Sequence, residues 1–218
     1  MSTKSHRKYR LRGGDIVPGV TTILDSQLGW AKRVLMAWSR REALSGGDSE
    51  KILRDTGKIG TCAHLLCQGF LEGRDVDIAD FSSNQIKCAC FAFESFKSFW
   101  AVQDMACVRL EFPVISEEHR FGGTLDIVAK SGGKLILIDL KTSKGLYPEF
   151  ICQVAAYGRA YESQEGQKIG GYHLLKLSTD GPGYEHHVIS PEHISVAWEV
   201  FLHCRELYDL QRKLKGFN

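Results

Sequence analysis

Two adjacent glycines set the register of the most informative stretch of this 218-residue chain. Ser131-Gly132-Gly133-Lys134 separates two runs, 122–130 and 134–140, each rich in Val, Ile and Leu. Both glycines accept positive φ, so they suit the central positions of a two-residue hairpin turn. With that turn fixed, Ser131 pairs with Lys134, and stepping outward brings Asp126 opposite Asp139. Directly opposed residues hold their Cβ atoms about 4.5–5.5 Å apart on one face of the sheet. Lys141, two residues beyond Asp139, falls on that same face.

Like charges placed directly opposite each other are destabilising, and here the flanks are aliphatic. A divalent cation offsets such repulsion, because hard cations take carboxylate oxygens and one ion can bridge two of them. Lys141 is then placed beside a metal-bound water or a developing phosphate charge. The bland alternative is a solvated hairpin face on which Lys141 merely pairs with an aspartate. Facing aspartates among so many aliphatic residues make that the weaker reading.

Around the hairpin the pattern gives helices first and strands later. A short helix opens near Val17-Pro-Gly-Val-Thr-Thr, with Thr21 or Thr22 as cap. A basic helix over 28–44 carries Lys32, Arg33, Arg40 and Arg41. Asp48 or Ser49 starts a third helix to about 72, and a fourth covers about 83–102. Strands follow over 107–115, 122–130 and 134–140. Pro148 suits a first helical turn, so a helix runs to about 162. Two strands, 171–177 and 184–189, and a final helix over 191–214 complete the chain. The expected fold is α/β, a single domain over 1–218 with a central mixed β-sheet flanked by helices. Within it, residues 1–104 form a helical section and 105–218 the α/β core.

Composition narrows the function classes. At 43% hydrophobic and 25% charged the chain is neither disordered nor fibrous. No apolar run approaches the ~20 residues of a membrane span, and the start lacks the apolar block of a signal peptide. The basic start (Lys4, Arg7, Lys8, Arg10, Arg12) is short and not evidently amphipathic, which argues against a transit peptide. A cytoplasmic protein, of a bacterial or phage-infected cell, is expected. Seven cysteines, an odd number without a CxxC, are expected to be buried, reduced thiols. Net charge +2 conceals an asymmetry, since residues 1–60 hold 12 Lys and Arg against 6 Asp and Glu. A basic front section beside an acidic remainder suits a polyanion ligand.

Asp126, twelve intervening residues and Asp139-Leu140-Lys141 resemble the PD-(D/E)XK nuclease core. Gly122-Gly-Thr-Leu-Asp126 is similar to its RecB-like and phage-type exonuclease branch, as is Gln153-Val-Ala-Ala-Tyr157 downstream. Gln153 and Tyr157 lie one helical turn apart and share a face. That branch places a metal-binding His on an upstream helix, and Gly57-Lys-Ile-Gly60-Thr-Cys-Ala-His64 looks like this element. Ile59, Ala63, Leu66 and Phe70 are expected to form the core stripe of that helix, with Gly60, His64 and Gln68 in a neighbouring row. Two interior glycines cost about 1 kcal/mol each, which a close approach beside His64 explains. Val17-Pro-Gly-Val-Thr-Thr-Ile-Leu with a following Trp-containing basic helix (Trp30, Trp38) resembles the start of phage-type exonucleases. Glu111 matches the strand entering the hairpin, as a ligand or supporting carboxylate.

The resemblance implies a restriction-endonuclease-like core and a metal-dependent DNA nuclease, an exonuclease acting in DNA processing, recombination or repair. An endonuclease of the same fold, a non-catalytic DNA-binding or recombination-partner subunit, and an unrelated α/β protein stay open beside it. It implies His64, Asp126, Asp139 and the Leu140 carbonyl as ligands of Mg²⁺ or Mn²⁺, with Lys141 orienting the attacking water. Gln153, Tyr157 and the basic helices, Arg40 and Arg41 among them, would hold DNA through its phosphates with little sequence preference. A recombination or replication protein is an expected partner. With only Cys152 and Cys204 after the core, no iron–sulfur cluster is expected.

Overall fold

A computed structural model describes residues 7–30 and 32–216, without the side chains of residues 32–34. Lys4 therefore lies outside the described residues, as do the side chains of Lys32 and Arg33. Five strands form the central sheet: β3 (Ala106–Ser116), β4 (Phe121–Ser131), β5 (Lys134–Lys141), β6 (Ile169–Leu177) and β7 (Tyr184–Ile189). They lie in sequence order and pair antiparallel, except for parallel β5 and β6. A parallel neighbour needs a crossover, and helix α5 (Pro148–Glu165) supplies it. The sheet is mixed, as expected. A further hairpin of two-residue strands, β1 (Tyr9–Arg10) and β2 (Ile16–Val17), has no counterpart in the sequence expectation.

Helices cover both faces. On one, α3 (Ser49–Glu72) and α4 (Ser83–Ala101) bury Cys62, Ala63, Cys67, Phe96 and Phe99 against Ile127, Ile138 and Leu175. On the other, α1 (Val20–Gln27), α5 and α6 (Pro191–Lys215) enclose Ile23, Tyr161 and Phe201 with Leu125, Val128 and Leu137. Cap chemistry sets several boundaries. Asp48 accepts the Lys51 N–H at 2.9 Å, and Ser82 with Gln85 closes a reciprocal capping box. Among the described residues no helix is long and apolar enough to cross a membrane.

Several local expectations are corrected. Gly19, not Thr21 or Thr22, precedes α1, and no side chain caps it. Helix α2 spans Lys32–Leu44, so Trp30 lies ahead of it. The stripe on α3 is rotated: Phe70 is exposed, its ring edge-on to Phe93 and Phe96 of α4, while Cys62 and Cys67 take the buried face. Small residues there let α4 approach closely. All seven thiols are free, yet Cys90 and Cys107 are exposed and Cys88 is half-buried. The other four are buried, and burial pushes the thiol pKa of Cys62 and Cys152 up to about 11.

Candidate metal centre

The β4–β5 hairpin adopts the register its turn demands. Gly132 and Gly133 take φ of 54° and 79°, Ser131 pairs with Lys134, and the ladder runs on to Ile127 opposite Ile138. One step further, a side chain takes over from the backbone. Asp126 Oδ2 accepts the Leu140 N–H at 2.8 Å. Asp126 and Asp139 therefore sit at the point where the two strands part.

On its other side Asp126 meets β3, where the pleat reverses. Leu110 and Ile127 are partners and pack towards α3 and α4, whereas Phe112 and Leu125, two residues along each strand, pack towards α5 and α6. Regular strands keep residues i and i+2 on one face. Glu111, between Leu110 and Phe112, has φ of 45°, a backbone cost on the order of 1–3 kcal/mol for a non-glycine residue. Its carboxylate, with Asp126 and His64 of α3, forms a cluster whose ligand atoms all lie within 4.8 Å of one another. His64 Nδ1 is 3.5 Å from Asp126 Oδ1 and 3.9 Å from Glu111 Oε1. Gly60, one turn before His64, faces Thr142: a Cβ there would stand 2.9 Å from its hydroxyl. That close approach accounts for Gly60, whereas Gly57 has open space around it.

Asp139 stands beside this cluster rather than in it. Only 1% of it is exposed, and Lys141 Nζ lies 2.5 Å from Oδ2. No described donor reaches Oδ1. Burial pushes the Asp139 carboxyl up to about 6 against the pull of Lys141, and the nearby charge of Asp126 adds to the rise. The chain of contacts continues outward. Lys141 donates to Gln153 Oε1 at 3.1 Å over the face of Phe150, and Gln153 Nε2 donates to the Tyr157 hydroxyl at 3.0 Å. Burial holds the Tyr157 phenol well above its ordinary pKa, with Asp139 adding to the effect, so it remains an O–H group.

Glycines admit the surrounding aromatics. A side chain at Gly123 would run into the Tyr157 ring, and one at Gly122 into Tyr9. Tyr9 in turn shares a hydrogen bond of 3.1 Å with Thr124. A cavity of about 690 Å³ opens above these groups, lined by His64, Glu111, Asp126, Asp139, Lys141 and Tyr157 among others. Arg40 and Arg41 are exposed on α2, outside this lining. Tyr9, Thr124 and Phe150 were not singled out from sequence. Thr124 carried a signal, lying two residues before Asp126, whereas nothing local marks Tyr9.

Imidazole and carboxylate donors at these separations, beside a buried carboxylate oxygen lacking a donor, fit a hard or borderline divalent cation. A His/Glu/Asp cluster able to hold a metal ion is the chemical content of the site.

No protein-family model matches the chain, and no curated protein resembles it significantly. Among solved structures, a protein from Eubacterium rectale named "Putative exonuclease" aligns at 10% identity with a TM-score of 0.47. The alignment covers 66% of this chain and 64% of that one, so the chain spans under two thirds of that protein's length. A protein named SSO0001 aligns at 15% identity over 79% of this chain and 85% of its own, with a TM-score of 0.33.

Proposed function

We propose that this chain is a Mg²⁺- or Mn²⁺-dependent deoxyribonuclease that hydrolyses phosphodiester bonds as an exonuclease. The observation that carries the reading is the convergence of His64, Glu111 and Asp126 beside the buried Asp139–Lys141 pair in one open cavity. A divalent ion held by these donors supplies a water of lowered pKa and a counter-charge for the scissile phosphate. The remaining work falls to the chain's own groups. Asp139 holds Lys141 in place through its carboxylate, and Lys141 Nζ offers a proton or a positive charge at the cavity floor. Gln153 fixes Lys141 from the far side and is itself fixed by Tyr157. The imidazole of His64 favours Mn²⁺ over Mg²⁺ slightly, because nitrogen ligands suit the softer ion.

DNA is the proposed substrate, bound mainly through phosphates by Arg40, Arg41 and neighbouring basic residues of the front helices. Single- and double-stranded DNA, end-labelled and incubated with Mg²⁺, Mn²⁺ or EDTA, gives the test. Metal-dependent release of nucleotides from an end is the expected result. Cleavage equally fast in EDTA, or none with either ion, would refute the reading.

A further inference from the structure

Helix α6 keeps one side of its length against α1 and α5, burying Ile194, Ala197, Phe201 and Cys204. Its other side carries a second stripe. Val196, Leu207, Leu210 and Leu214 are 60%, 53%, 46% and 70% exposed, although all four are apolar. With half-buried Val200 and exposed His203 they recur at alternating spacings of four and three residues. Such spacing is the seam of a helix pair, and it runs about 27 Å along the axis. Val200 also packs against the inner core, while the other five positions lie outside the buried face of α6.

We propose that this stripe pairs α6 antiparallel with α6 of a second copy of the chain. Centred near residue 205, a two-fold axis sets Val196 against Leu214, Val200 against Leu210 and His203 against Leu207 of the other copy. The same axis generates each contact twice, as an isologous interface requires. One register satisfies every layer, and the flanking charges agree with it. Glu199 and Lys213 both lie exposed on the same edge of the stripe, and the antiparallel register brings Glu199 of one copy to Lys213 of the other. A parallel pair would instead set Glu199 beside Cys204 and Glu206 beside Gln211, with no opposite charge across. It would also gather Arg212, Lys213 and Lys215 of both copies at one end, where antiparallel helices separate them. Glu206 faces its own symmetry mate at the axis, a repulsion that weakens the dimer. A seam of this length lies at the small end of specific interfaces, so association depends on concentration in the micromolar range, about 1–100 μM.

Sedimentation velocity on the full chain over that range tests the proposal. The mass should rise from 24.4 kDa towards twice that value with concentration. Leu207→Glu, on an exposed position, should give a monomer with unchanged helical circular dichroism. Glu199→Lys and Lys213→Glu should each weaken association roughly ten- to thirty-fold at low salt, since both symmetry-related pairs turn repulsive. Combining the two reversals should restore the dimer to within about two-fold, because the attraction re-forms with its signs exchanged. A wild type that stays monomeric at every concentration, a trimer, a Leu207→Glu variant that still pairs, or no rescue by the double reversal would overturn it.

Discussion

Replacing Asp139 with Asn should stabilise the metal-free protein, and the size of the effect follows from how the carboxylate is housed. Its pKa stands near 6 instead of 3.8 because burial outweighs the attraction of Lys141. A carboxyl group with a raised folded-state pKa contributes stability that is fully present below about pH 4. That contribution disappears as pH rises through about 6. Above pH 7 the ionised group therefore costs up to about 3 kcal/mol relative to the unfolded chain. Asparagine cannot ionise and keeps an oxygen for Lys141, so the variant avoids the cost. Urea denaturation in EDTA should show Asp139→Asn more stable by about 1–3 kcal/mol near pH 8, the gap roughly halving by about pH 5 and closing below about pH 4. Excess Mn²⁺ should narrow or reverse the gap, because an ion held by His64, Glu111 and Asp126 is attracted more strongly by an ionised Asp139 beside them than by asparagine. A variant less stable than wild type at pH 8 without metal, or a gap independent of pH, would refute the reasoning.

Lys141→Ala should retain Mn²⁺-induced stabilisation while DNA cleavage falls roughly 10²–10⁴-fold, the range for a positioned proton-transfer group; wild-type cleavage rates would remove Lys141 from the chemistry. His173 lies against His186, ring nitrogens 3.0 Å apart, and burial with that neighbour lowers its pKa to about 4. The folded state therefore resists protonation, so stability should drop as pH falls from about 6.5 to 4, by on the order of 2–3 kcal/mol. Thermal melts of His173→Gln across that range should show a flatter profile. Changing Arg40 and Arg41 to Ala should weaken DNA binding and reduce its salt slope by about one for each phosphate no longer neutralised, as read by fluorescence anisotropy. An unchanged slope would mean that α2 does not touch DNA.

The parts of the site written in local sequence were legible. A Gly-Gly turn admits one register, and from it the neighbourhood of Asp126, Asp139 and Lys141 follows without tertiary information. Gln153 and Tyr157 are marked by the family likeness, helical spacing puts them on one face, and Asp48 marks the start of α3 through its own hydrogen bond. What the sequence did not disclose depends on contacts across the fold. Glu111 is marked only by its likeness to a family strand; nothing in its own neighbours says where its carboxylate goes, and the backbone reversal at φ 45° is what turns it towards His64. Helical periodicity alone favoured the large residues of α3 as its core face. Packing against α4 selected Cys62 and Cys67 instead, because small side chains permit the close approach. Strands of two residues such as β1 and β2 carry no period to detect.

The reversal of the pleat at Glu111 and Asp126 bears on how this sequence can change through descent. On one side of that point β3 and β4 belong to the layer of α3 and α4, on the other to the layer of α5 and α6. Each layer can exchange its own residues for others of equal volume, with little consequence for its opposite number. The handover point answers to both. A substitution that thickens the Leu110–Ile127 contact, or thins that of Phe112–Leu125, tilts the strand pair about the peptides that aim the two acids. Among descendants that keep the acids in place, these four apolar positions should drift as a correlated group, although each pair belongs to a different core.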